Sequence, residues 1–229
     1  QWMSGRRWRL TLTPAHAPIA AFVLMALFAF VAGLNNGPLT ANLARHFAEF
    51  ILSILFSFVV VDFVNSRERL SRLVGVILLC GAGAALVGIA LYAIPETLAE
   101  RLLSALRAVG YPSGGVLQYI ESNPDLGQRA IGTSVNPNAF GGLLAIVGAL
   151  AAPQLLARRP VFGARRLWWV VFGVMGVCLI LTYSRMAMAG LVVAVLGIAA
   201  LRYRKLLPVI VIAAVIVIAL PFTQAYVLR

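Results

Sequence analysis

Arg185 stands in Leu181-Thr182-Tyr183-Ser184-Arg185-Met186, between two apolar runs. A polar group at the edge of a membrane-depth segment is costly and therefore a functional suspect. Two readings are open. The guanidinium can snorkel to water or lipid headgroups. Alternatively, its planar fork of donors, which does not titrate away, clamps phosphate oxygens. Tyr183 and Ser184 would add hydroxyl donors beside it. A second constellation runs Arg129-Ala130-Ile131-Gly132-Thr133-Ser134-Val135-Asn136-Pro137-Asn138. Asn-Pro-Asn is a helix start: Pro suits the first turn, and an Asn side chain accepts from free backbone N–H groups. The same helix start favours an anion, for which Arg129 supplies a second contact. Gly141 and Gly142, one turn on, allow another backbone or an acyl chain to come close.

A third set is Arg45, His46 and Glu49, whose three- and four-residue spacings put the acid on one helical face with both bases. It reads first as a salt-bridged helix start at the interface. Histidine is a residue type that can act as a general base, but His46 has no identified partner for that role, and His16 sits between Pro14 and Pro18 with no evident role. With two histidines, dispersed acids and two cysteines inside apolar runs (Cys80, Cys178), neither a metal site nor a nucleophilic triad is formed. Phosphate-binding P-loop and dinucleotide fingerprints are both absent. No cofactor is expected.

The elements that must position these residues are helices in lipid. The 229 residues are 62% hydrophobic and 11% charged, with a mean hydropathy of +0.95. A soluble domain is about 45–50% apolar and about 25% charged. Soluble enzymes, disordered tails and disulfide-framed modules are excluded, and continuous apolar runs exclude an alternating β-barrel. The expected fold is an all-α integral membrane protein, a single bundle with about seven spans, at 15–34, 47–64, 73–94, 138–156, 167–183, 187–201 and 206–222. Each approaches the roughly 20 residues a bilayer requires. The fifth and sixth are joined by a tight hairpin at Ser184 and Arg185. Gly81, Gly83, Gly88, Gly141, Gly142, Gly148, Gly173 and Gly176 suit close helix packing.

Counting Lys and Arg in alternate connections gives 13 on one side and 6 on the other, so the N-terminus is expected in the cytoplasm. The net charge of +12 is then a topology signal rather than a nucleic-acid footprint, since no basic stripe interleaves with aromatics. The connection 95–137 falls outside, in the periplasm of a bacterium. Within it Leu98, Leu102, Leu103, Leu106 and Val109 recur at helical spacing opposite Glu100, Arg101 and Arg107, an amphipathic helix for the membrane surface or the bundle. The first residue is Gln, and the sequence reads as part of a longer protein.

The two motifs, in order and on one expected face, resemble the O-antigen ligase and polymerase family. Gly132-Thr133-Ser134-Val135-Asn136-Pro137-Asn138 looks like that family's G-T-x-x-N-P-N stretch, and Leu181-Thr182-Tyr183-Ser184-Arg185 like its L-T-x-S-R signature. The likeness covers 129–222. It implies an inner-membrane glycosyltransferase that takes a glycan from undecaprenyl-pyrophosphate and passes it, at the periplasmic face, to lipid A–core, another carrier-linked glycan or a protein hydroxyl. Such an activity belongs to lipopolysaccharide and cell-surface polysaccharide biosynthesis. Arg185 takes the family's pyrophosphate-holding role, with Arg129 beside it and Tyr183, Ser184, Asn136, Asn138 and Arg229 in support. The family's basic histidine lies in a large loop that would begin near Arg229, so no catalytic base is assigned here. A transporter or flippase fragment and a non-catalytic membrane subunit are the alternatives. The first would call for ionisable residues deep within spans.

Overall fold

A computed structural model describes residues 16–109, 111–112, 115–157, 160–208, 210–212 and 215. Among the described residues the α-helices are α1 (His16–Gly33), α2 (Ala41–Phe63), α3 (Arg67–Ala93), α4 (Glu96–Ser104), α5 (Pro137–Leu156), α6 (Arg165–Leu181) and α7 (Arg185–Arg202). Among the described residues the only β-pairing is an isolated bridge between Tyr119 and Gln128. Among the described residues five helices are long and apolar enough to cross a membrane: His16–Gly33, Ala41–Val61, Arg67–Ala93, Pro137–Leu156 and Arg185–Arg202. Many of their large apolar side chains lie outside any core, among them Phe28, Phe56, Ile146 and Val193. A bilayer is the solvent that accepts such a surface. The chain is an all-α membrane protein.

The expected and observed boundaries differ where polar residues open a helix. α2 begins at Ala41, six residues before the expected 47, because the Thr40 side chain caps it by accepting from Leu43 N at 3.2 Å. α3 begins at Arg67 rather than 73; the Ser66 hydroxyl accepts from Arg69 N. α6 has 17 residues and stops at Leu181, two residues short of the expected 183, because Tyr183 takes a left-handed φ of 51°. The amphipathic stretch 96–109 is α-helical only to Ser104 and tightens to a 3₁₀ helix over Ala105–Val109. The segment 206–222 lies for the most part outside the described residues, as does Arg229.

The chain divides into two compact units, residues 1–71 and 72–229. In the first, α1 and α2 form an antiparallel hairpin zipped by rings: His16 meets Phe58, Phe22 meets Phe50, and Phe30 stacks on Phe47 with 3.9 Å between centroids.

The second unit is a bundle whose register is written in glycines. Close to the Gly75 Cα lies the ring of Phe162 in the α5–α6 connection. A Cβ on Gly81 would meet Val147 of α5 at 2.6 Å, and one on Gly88 would meet Phe140 at 2.7 Å and Cys178 Sγ at 2.9 Å. Thus α3 runs antiparallel to α5 and parallel to α6. Gly141 abuts Ser184 and Ala187 of α7, and Gly148 abuts Leu191, so α5 and α7 run parallel. In lipid, where no hydrophobic effect drives helices together, such close approach supplies the van der Waals attraction. The core includes Leu78, Ala85, Phe140, Leu144, Ala151, Trp168, Met175, Cys178 and Met188. Gly83, Gly142, Gly173 and Gly176 meet nothing within 4 Å and do not serve packing as the sequence suggested.

One end of this bundle therefore gathers the C-termini of α3 and α6 and the N-termini of α5 and α7. The connection from α4 to α5 folds over that end around its own core of Leu91, Ala99, Leu103, Val116, Leu117 and Ile131. Gly132 makes its last turn, with φ 54° and Phe140 Cζ only 2.8 Å from where a Cβ would stand. Gly132→Ala is expected to cost about 1–2 kcal/mol from the left-handed backbone alone, read as a fall in unfolding temperature in detergent.

Candidate functional site

The covered end holds an open-sided hollow of about 580 Å³, lined by Arg129, Asn138, Gly142, Tyr183, Ser184, Arg185, Met186 and Ala187. Two segments more than forty residues apart meet there. The Arg129 guanidinium joins them: Nε donates to the Thr182 carbonyl and Nη2 to Asn138 Oδ1, both at 2.8 Å. The backbone repeats the tie, Ala130 N donating to Leu181 O and Arg129 N to Gln118 O, each at 2.8 Å. Burial pulls the Arg129 pKa below the ordinary guanidinium value, yet an arginine keeps its charge throughout the physiological range.

Each helix start at the hollow has its own polarity. Asn136 is the N-cap of α5, its Oδ1 accepting from Asn138 N at 2.8 Å and Ala139 N at 3.2 Å, with Pro137 in the first turn. Those two amides are thereby satisfied. Asn136→Ala is expected to cost about 1 kcal/mol, whereas Asn136→Asp keeps the acceptor; paired thermal melts separate the two. At α7, Ser184 occupies the N-cap position but makes no side-chain cap bond. The first-turn amides of α7, on residues that line the hollow, therefore carry the partial positive charge of an uncapped helix start.

Between α6 and α7 the turn is tight and strained. Thr182 is fully buried; its hydroxyl donates to Leu179 O at 2.7 Å and accepts from Ser184 N at 3.3 Å. Tyr183 follows at φ 51°, and Val135, just before the α5 cap, at φ 61°. A left-handed φ on a β-branched residue is an outlier, and strain of this kind, about 1–3 kcal/mol each, collects where the surroundings over-determine the backbone. The Tyr183 hydroxyl is hydrogen-bonded to Tyr92 of α3, and burial first, then that neighbour, raises its pKa. Arg185 is exposed at the rim, the first residue of α7.

Of the residues singled out from sequence, Arg129, Asn138, Tyr183, Ser184 and Arg185 line one hollow. Asn136 is the cap behind it, and Arg229 lies outside the described residues. Arg45, His46 and Glu49 belong to α2 in the other unit, where Glu49 bridges Arg45 at 3.6 Å and His46 at 3.2 Å. Thr182 was quoted within the L-T-x-S-R motif but given no role, although its carbonyl receives Arg129; a hydroxyl residue at the end of an apolar helix was the available signal. Gly141 and Gly142, alike in sequence as room for a backbone or an acyl chain, divide in the structure: Gly141 packs and Gly142 meets nothing within 4 Å. Among the described residues no three His, Cys, Asp or Glu side chains gather to hold a metal ion.

Comparison with known proteins adds no relative: no family model, no curated protein and no solved structure matches the chain.

Proposed function

We propose that this protein is an O-antigen ligase-like glycosyltransferase of the bacterial inner membrane, whose hollow holds the diphosphate of an undecaprenyl-pyrophosphate-linked glycan for transfer to an acceptor at the periplasmic face. The observation that carries the reading is the Arg129–Asn138–Thr182 junction, which joins the G-T-S-V-N-P-N and L-T-Y-S-R motifs across one hollow. Arg185 lines the same hollow as Gly142, at the uncapped start of α7.

In this reading Arg185 and the α7 amides meet the phosphate oxygens, while Arg129 adds a fixed positive charge behind them. As the glycosidic bond breaks, negative charge grows on the leaving diphosphate. Donors already in place stabilise that charge without reorganising. No base is assigned among these residues. The charge distribution supports the side: in the second unit all four acids (Glu96, Glu100, Glu121, Asp125) belong to the segment covering the hollow end, while Arg72, Arg165, Arg166, Arg202, Arg204 and Lys205 stand at the opposite helix ends. By the excess of basic residues inside, the hollow faces the periplasm and the N-terminus the cytoplasm, with about seven spans counted as in the sequence. A transporter would place ionisable groups at mid-depth; α5 has none, and those of α6 and α7 stand in their terminal turns.

The test is glycan transfer by the full-length protein in proteoliposomes, from a defined undecaprenyl-pyrophosphate donor to added acceptor. Product formed with the diphosphate carrier and absent with a monophosphate carrier is the expected result. Equal use of both, or neither transfer nor carrier binding, defeats the reading.

A further inference from the structure

The helix α4 is apolar on two adjacent faces, and only one of them is covered. Ala99 and Leu103 are 0% and 2% exposed, packed with Leu91, Val116, Leu117 and Ile131, whereas Leu98 and Leu102 are 44% and 51% exposed. At about 100° per residue, Leu98 and Leu102 form a strip beside the buried pair. Arg101 borders the outer edge of that strip. Glu96 and Glu100 fall beyond the buried face, on the side of the folded connection, where the Tyr119 hydroxyl donates to Glu96 Oε2 at 3.0 Å. The charges are thus sorted: basic next to the bare leucines, acidic away from them. Arg107, in the 3₁₀ turn that continues the helix, is exposed as well.

What covers the strip is fixed by where the helix begins. α3, apolar enough to span a bilayer, ends at Ala93, and α4 starts at Glu96 after Ile94 and Pro95. The three steps from Ala93 to Glu96 cannot carry the chain more than about 11 Å, so α4 starts close to the level where α3 leaves the hydrocarbon. We propose that α4 lies in the headgroup region with Leu98 and Leu102 dipped into the acyl boundary and Arg101 and Arg107 against the phosphates of anionic lipids. An interfacial helix of this composition sinks its apolar face by about 5–10 Å.

The placement has a consequence for the hollow. The covered face of α4 packs on Ile131, two residues from Arg129, and Ala130 N is bonded to Leu181 O. A helix afloat at the headgroups therefore sets the height of the hollow at the same level. Nothing in this depends on a glycan being transferred.

The experiment uses the full chain with exposed Cys80 replaced by alanine and fully buried Cys178 left in place, carrying single nitroxide labels at L98C, L102C or E100C in nanodiscs. Labels at 98 and 102 are expected to collide more with oxygen than with a water-soluble nickel chelate, and the label at 100 the reverse. Exchanging phosphatidylcholine for a mixture with phosphatidylglycerol deepens position 102, and the R101Q/R107Q pair cancels that change. Water accessibility at 98 and 102 equal to that at 100 overturns the proposal. So does shielding from both reagents at once, which marks a protein partner on the strip, and so does a depth indifferent to lipid charge.

Discussion

Arg185→Ala is expected to lower glycan transfer by about 10²–10³-fold, the range for removing one preorganised donor from a developing oxyanion, while the protein still inserts. The side chain is exposed at the hollow's rim and belongs to neither hydrophobic core, so its loss leaves the packing untouched. Arg185→Lys should restore little of the lost rate. An ammonium is a single point of charge, whereas two oxygens of a diphosphate are met at once only by the guanidinium fork. Steady-state transfer in proteoliposomes measures both variants. Parental rates in the alanine variant would remove Arg185 from the site.

Arg129→Met is expected to act on stability first, by about 3 kcal/mol. The apolar stem is kept, but two hydrogen bonds from a charged donor are lost, each worth about 1.5–3 kcal/mol, with a discount for the part of the group that water reaches. The Thr182 carbonyl, on a residue that is itself fully buried, is left without this donor. Asn138→Leu removes only the second bond and should cost less. Combined, the two substitutions should cost less than their sum, because each deletes the same Arg129–Asn138 contact. Thermal unfolding of the four proteins in one detergent closes the cycle. Additive losses would show that the contact carries no energy. Transfer should fall in Arg129→Met by more than the unfolded fraction explains, since the turn bearing Tyr183, Ser184 and Arg185 is no longer pinned to α5.

The helical class, the apolar segments and the meeting of two motifs were legible from residue type and spacing, because hydropathy reports lipid-facing helices directly. Helix starts were less so. Apolar runs mark where a helix is greasy, not where it begins, and Thr40 and Ser66 open α2 and α3 on polar first turns. The Asn136 cap could be read, since Asn-Pro is a helix opening in its own right. What Asn138 does could not: its partner, Arg129, is nine residues away across a strained turn, and no periodicity encodes that. Nor does sequence tell Gly141, jammed against Ser184, from Gly142, which faces open space. Which glycine packs depends on the rotation of α5 against α7, a property of the folded bundle alone.

Four of the glycines that touch form pairs spaced by seven: 81 and 88 on α3, 141 and 148 on α5. Seven residues are close to two turns, so the two glycines of each pair lie on one face of their helix and let a neighbour come close at two levels. Each pair marks contacts at two levels along α5, so the start of α5, with Asn138 and Gly142, keeps its register against the first turn of α7.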